Sequence, residues 1–162
     1  MDKIKLCITV NGEDHECYIK PKKLLVEVLR DELGLMGTKR GCNTGSCHAC
    51  TVLINSVSVK SCSVLAVQAD GCEITTIEGL ADAAELSPLQ RSFLDYGAFQ
   101  CGFCTSGMLL TATSFLAENP EPTEHDIREG LHGNICRCTG YNSIIRAVKA
   151  VADGGYEEAA DE

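Results

Sequence analysis

Eight of the eleven cysteines in this 162-residue chain fall into two sets of four, and any fold the chain adopts must gather each set. The first set is Cys42, Cys47, Cys50 and Cys62, spaced C-x4-C-x2-C with eleven residues before the fourth. The second is Cys101, Cys104, Cys136 and Cys138, spaced C-x2-C, then thirty-one residues, then C-x-C. A [2Fe-2S] cluster needs four thiolates, two on each iron, and the first spacing is that of plant-type [2Fe-2S] ligands. Each set is therefore sized for one such cluster.

Two other uses of cysteine compete with this one. Disulfides need an oxidising compartment, yet Met1-Asp2-Lys3-Ile4-Lys5 runs straight into a strand pattern without an apolar signal segment, and an odd count leaves one thiol over. Zinc is the stronger rival, because Cys47/Cys50 and Cys101/Cys104 are both C-x2-C knuckles able to supply half of a four-cysteine site. A zinc ribbon pairs two knuckles, however, whereas here each knuckle has a differently spaced companion. Cys7, Cys17 and Cys72 have no partner at ligand spacing and read as small apolar residues in or beside strands.

Charge narrows the partners. A formal net charge of −9 disfavours nucleic acid and anionic membrane, both of which repel a protein without a basic patch. No apolar run approaches the roughly 20 residues of a membrane span, so a soluble cytoplasmic protein is expected. Two units of about 75 residues would each be marginal on hydrophobic burial alone, and metal crosslinks would help to stabilise both.

From Ile4 to Val10 apolar residues alternate with polar ones, the period of a half-buried strand, and Asn11-Gly12 signals a hairpin returning over Glu13 to Lys20. Leu25, Val28, Leu29 and Leu33 at helical spacing predict a helix over Lys23 to Leu33, stopped by Gly34. Between Gly37 and Cys50 periodicity vanishes, and glycines at 37, 41 and 45 interleave with the first three cysteines, as a loop curling tightly around a metal centre requires. A hairpin over Thr51 to Asn55 and Val57 to Ser61 delivers Cys62, and a strand over Glu73 to Ile77 completes a β-grasp-like order.

The second half is helical. Ser87-Pro88-Leu89-Gln90 combines an N-cap, a proline at the first position and a capping glutamine, predicting a helix over Pro88 to Tyr96. Further helices are expected over Thr105 to Glu118, over Glu124 to Leu131 behind Thr123, and over Ser143 to Ala152. The second cysteine set sits at the joints between these helices, whose N-terminal ends favour negative charge.

Four motifs carry a resemblance: Gly37-Thr38-Lys39-Arg40-Gly41-Cys42; Gly45-Ser46-Cys47-His48-Ala49-Cys50; Gln100-Cys101-Gly102-Phe103-Cys104-Thr105; and Gly133-Asn134-Ile135-Cys136-Arg137-Cys138-Thr139-Gly140-Tyr141. From Ile4 to about Asp153 the chain resembles the small iron–sulfur subunit of the xanthine dehydrogenase and aldehyde oxidoreductase type of molybdenum hydroxylases. The resemblance implies an α+β chain: a plant-type ferredoxin-like β-grasp domain over residues 1–78 and a C-terminal four-helix-bundle [2Fe-2S] domain over 79–153; past it, residues 154–162, glycine then acidic, are expected to be a disordered tail. It implies an electron-transfer subunit of an oxidoreductase, relaying electrons from a molybdopterin-type cofactor on a large partner subunit, through two [2Fe-2S] clusters, to FAD on a medium one. Dimerisation of such a complex is compatible with it.

By the same resemblance Gln100 would hydrogen-bond the pterin, and Cys138 would approach it while ligating iron. His48 stands where the family usually has glycine, and Ser106 where it usually has proline. Neither substitution removes a thiolate. His48, His125, His132, Arg137 and Tyr141 are expected to serve structure or the partner interface. No nucleophile, base and orienting group can be assembled, and Asp31 and Glu32 lie on a solvated helix face, so no catalytic residue is assigned. Two other functions stay open at this point: a freestanding ferredoxin-like carrier and a zinc-stabilised interaction module.

Overall fold

In the computed structural model, which describes residues 2–81 and 85–156, Asn11 and Gly12 both take positive φ, 52° and 82°. That is the two-residue turn whose twist suits a hairpin. It joins β1 (Ile4–Val10) to β2 (Glu13–Ile19) in antiparallel register, with Val10 opposite Glu13. A second tight hairpin joins β3 (Thr51–Ile54) to β4 (Val57–Lys60) through Asn55 and Ser56, again both at positive φ. β5 (Glu73–Thr75) runs parallel to β1 and antiparallel to β3, giving the sheet order β2-β1-β5-β3-β4. Leu6, Ile8, Val10, Ile19, Val52 and Ile74 form one buried face.

Leu25, Val28 and Leu29 cover that face from α1 (Leu25–Glu27) and the π-helical stretch Val28–Glu32 that continues it. The predicted helix over Lys23 to Leu33 is thus shorter, and its second half is wider than an α-helix, with the Leu33 N–H bonding back to the Val28 carbonyl. Residues on both sides of the segment are buried: Leu25, Val28 and Leu29 against the sheet, Val26 against Cys50 and Cys62. The strand expected to reach Ile77 stops at Thr75. Asn11 ends it by donating to the Thr76 hydroxyl and accepting from the Thr76 N–H, which removes Thr76 from the ladder.

Four helices follow: α2 (Pro88–Asp95), α3 (Thr105–Glu118), α4 (Glu124–Gly130) and α5 (Asn142–Ala152). Ser87 and Gln90 exchange the two bonds of a capping box at 3.3 and 2.9 Å, and Thr123 and Asp126 do the same for α4. Leu89, Phe93, Met108, Ile127, Ile144 and Val148 fill a second core, on which Ile77 and Leu80 also pack. The two cores meet where α3 lies against β3 and β4, and Ser114 of α3 accepts from the Ser58 N–H at 3.2 Å. Among the described residues no helix is long and apolar enough to cross a membrane. Residues 82–84 and the part of the expected acidic tail from residue 157 onward lie outside the described residues.

Candidate metal centres

The loop between the π-helical stretch and β3 carries Cys42, Cys47 and Cys50, and a single 3-10 turn after β4, Ser61–Ser63, presents Cys62. Arg30 anchors the start of this loop by donating from Nη1 to the carbonyls of Met36 and Thr38 at 3.1 and 2.7 Å. Two glycines give the loop its curvature. A Cβ on Gly41 would stand 2.9 Å from the Cys47 sulfur, and Gly45 holds φ at 74° with Ser63 close behind it. The sulfurs meet in pairs. Cys42 lies beside Cys47, and Cys50 beside Cys62.

These pairs differ electrostatically. The Thr44 hydroxyl and N–H, the latter 3.4 Å from the sulfur, lower the Cys42 thiol to about 6. Burial, with the Cys62 thiol beside it, pushes Cys50 up to about 11. Cys42 is thus ready to ionise, whereas Cys50 is held neutral until a cation compensates the lost hydration.

The second set is assembled from two segments. Cys101 and Cys104 lead into α3, with Cys104 its N-cap, and Cys136 and Cys138 lie between α4 and α5. Sulfurs again pair across the segments: Cys101 and Cys138 are 3.6 Å apart, and Cys104 lies beside Cys136. Burial and Cys136 push Cys104 up to about 12. Burial also raises Cys136, but the Thr139 hydroxyl, 3.1 Å from its sulfur, and the Thr139 N–H bring it below the ordinary thiol value. Cys101 is lowered by the Phe103 N–H and by Cys138. Thr105 and Ser106, in the turn that begins at Cys104, bury hydroxyls that have no protein partner. Spare donors next in sequence to Cys104 suit a sulfide-bridged iron centre, which offers acceptors. Among the described residues no three metal-binding side chains gather about one point, as a single ion would need.

Comparison with known proteins agrees with this donor chemistry. A family described as 2Fe-2S iron-sulfur cluster binding domain matches residues 8–87, and one described as [2Fe-2S] binding domain matches residues 76–149. The nicotinate dehydrogenase small FeS subunit of Eubacterium barkeri is 46% identical over 149 residues, covering 92% of this chain and 95% of its own. A probable xanthine dehydrogenase subunit of Bacillus subtilis is 45% identical over 154 residues, covering 93% and 88%. The chain belongs to the small iron–sulfur subunits of the xanthine dehydrogenase and aldehyde oxidoreductase family. The crystal structure of quinoline 2-oxidoreductase from Pseudomonas putida 86 contains a chain that superposes on this iron–sulfur subunit with a TM-score of 0.89 at 46% identity, covering 97% of it and 100% of that chain. Aldehyde oxidoreductase from Desulfovibrio gigas matches at a TM-score of 0.87 and 40% identity, covering 94% of this chain but 17% of that longer one.

The other singled-out residues of the iron–sulfur subunit sort by position. Gln100 is exposed beside Cys101, and Cys101 and Cys138 are themselves exposed, flanked by the exposed apolar side chains of Phe99, Phe103 and Ile135. His125, His132 and Arg137 are exposed. Cys17 and Cys72 pack on the fringe of the sheet core, and Cys7 lies half-buried in β1. Tyr141 braces the segment that carries the second cysteine pair. Its hydroxyl accepts from the Cys136 N–H at 2.8 Å and donates to the Asn134 carbonyl at 3.2 Å. His48 sits half-buried between the two halves of the molecule, and burial, then Lys60, holds it below the ordinary imidazole range.

Sequence reasoning missed Arg30, Thr44 and Thr139. A hydroxyl two or three residues after a ligand cysteine, in a segment without periodicity, is the one signal that could have marked Thr44 and Thr139. Arg30 gives no such signal, because its role depends on the path of a distant loop.

Proposed function

We propose that this chain is the electron-transfer subunit of a molybdenum hydroxylase, with Cys42, Cys47, Cys50 and Cys62 ligating one [2Fe-2S] cluster and Cys101, Cys104, Cys136 and Cys138 another. The observation that carries this reading is the meeting of sulfurs two by two within each set, Cys42 with Cys47, Cys50 with Cys62, Cys101 with Cys138 and Cys104 with Cys136. Two thiolates on each of two irons is the ligand demand of a [2Fe-2S] cluster, which supplies reversible one-electron chemistry. In this reading the chain's own work is to hold eight thiolates, to stiffen the ligand loops through Arg30 and Tyr141, and to donate N–H and O–H groups from Thr44 and Thr139 to sulfur. Such donors tune a cluster's potential.

The finer assignments belong to the same proposal. A boundary near residue 78 divides a ferredoxin-like unit from a four-helix bundle over 79–153, and residues 154–162 form a tail. Exposed Gln100 and Cys138, with Phe99, Phe103 and Ile135 around them, form the surface on which a large molybdopterin-bearing subunit docks, Gln100 and Cys138 meeting the pterin. A medium subunit supplies FAD, and the complex is cytoplasmic.

Co-expression with flavin and molybdenum subunits, followed by metal analysis and paramagnetic resonance of the reduced complex, tests this reading. The expected result is about four irons and four labile sulfides per chain, with two distinct signals. Stoichiometric zinc, or a soluble carrier that ignores such partners and shows a single signal, would overturn it.

A further inference from the structure

The two ligand regions touch around His48. The Ile135 N–H donates to the Cys47 carbonyl at 3.1 Å, joining the residue before one ligand, Cys136, to another ligand of the opposite set. One residue on, His48 holds φ at 54°, a left-handed conformation uncommon outside glycine, although histidine tolerates it better than most residues. That conformation places the imidazole on Gly133. A Cβ on Gly133 would stand 2.6 Å from Nδ1 and 2.9 Å from Nε2, so only glycine leaves room for the ring. The His48 carbonyl is fixed as well: the Thr51 N–H and hydroxyl donate to it at 3.2 and 2.8 Å, and a Cβ on Gly107 of α3 would collide with it and come within 3.1 Å of the Ala49 Cα. The two regions therefore meet backbone to backbone at Ile135–Cys47 and at Gly107–His48, and the His48 ring lies against Gly133.

We propose that His48 is a positioning residue that sets the separation and orientation of the two cluster sites, acting as a spacer between the Cys47–Cys50 turn and the Gly133–Cys138 segment. The imidazole works by its volume and flatness. Its contact with Gly133 is reciprocal, so that the left-handed histidine and the missing Cβ are two halves of one device. Packed interiors transmit such a spacer's size directly, because they have little slack. The inference rests on the two-cluster reading above, since only with both clusters present does the spacing govern electron exchange between them.

The test uses the complete complex with its partner subunits and reads the magnetic interaction between the two reduced centres, together with iron content and the rate of electron exchange between the centres. His48→Gly suits the left-handed backbone and keeps every thiolate, so both clusters should assemble, but their mutual splitting or relaxation enhancement should shift and exchange should slow. Gly133→Ala should shift the interaction in the same measurement by forcing the ring aside. The double variant His48→Gly/Gly133→Ala should lie closer to wild type than Gly133→Ala alone, because the added methyl then occupies vacated space. A wild-type interaction in His48→Gly overturns the proposal even if Gly133→Ala fails to assemble. Absence of two signals in the unmutated complex instead sinks the two-cluster reading, which keeps the two failures apart.

Discussion

The two cysteine sets reach the same two-by-two arrangement by opposite routes. In the sheet half, Cys42, Cys47 and Cys50 lie on one loop, and the fourth cysteine arrives at the end of the adjoining hairpin. The buried pair, Cys50 and Cys62, packs with Val26 of α1, so this site is tied to the core that carries it. In the helical half, the paired sulfurs come from segments thirty-one residues apart, and only the packing of α3, α4 and α5 sets their distance. Cys101 and Cys138, the outer pair, stay exposed. A site folded from local chain tolerates loss of distant packing, whereas a site assembled by helices does not.

The largest expected effect breaks one site and spares the other. Cys136→Ser should remove about half the iron and only the helical-half signal, and Cys50→Ser only the other. Cys7→Ser, Cys17→Ser and Cys72→Ser should change neither. Loss of both signals in any single variant means that the sets are not independent.

A sharper version leaves all thiolates in place. Phe93 is fully buried in the helical core, and Phe93→Ala should cost roughly 3–5 kcal/mol. If packing sets the second site, its signal should weaken while that of the loop-built site persists, as read by iron content and resonance of the purified complex. Equal loss at both sites would remove the asymmetry drawn here.

Tyr141→Phe strikes one brace of that packing. It strips the hydroxyl that bridges the Cys136 N–H and the Asn134 carbonyl, leaves those groups short of partners, and should cost about 1–3 kcal/mol. Denaturant unfolding should report the loss, and a line-shape change confined to the helical-half signal should accompany it. A change in the sheet-half signal instead would place Tyr141 in the wrong network.

Smallest of all, Ser87→Ala removes the α2 N-cap far from any thiol. About 1 kcal/mol of stability should go, seen as a thermal midpoint lower by a few degrees, with both spectra intact.

How far the fold could be read in advance follows the same local and non-local divide. Asn11-Gly12, the Ser87/Gln90 box and the Thr123 cap are properties of a few adjacent residues, and all were legible. Asn55-Ser56 turns the second hairpin without any glycine, yet the short strands on either side announced it. The π-helical stretch arises because residues on both of its sides are buried by different neighbours, and no period in the sequence encodes that. The end of β5 depends on Asn11, sixty-five residues before Thr76. Which sulfur meets which within a set is likewise tertiary information, as is the seat of His48 on Gly133, a contact between residues whose sequence neighbourhoods give no hint of each other.

The hydrogen bond from the Ile135 N–H to the Cys47 carbonyl has a consequence for how proteins of this kind can diverge. It is made by main chain on both sides, so nearly any amino acid at either position preserves it. Proline at 135 is the exception, because it has no N–H to give. Mutation can therefore rewrite the surface around this joint, and with it the choice of partner, while the two halves stay in register. Recombination that pairs one lineage's sheet half with another's helical half keeps this bond for the same reason, and would stumble on side chains such as the one that stands beside it.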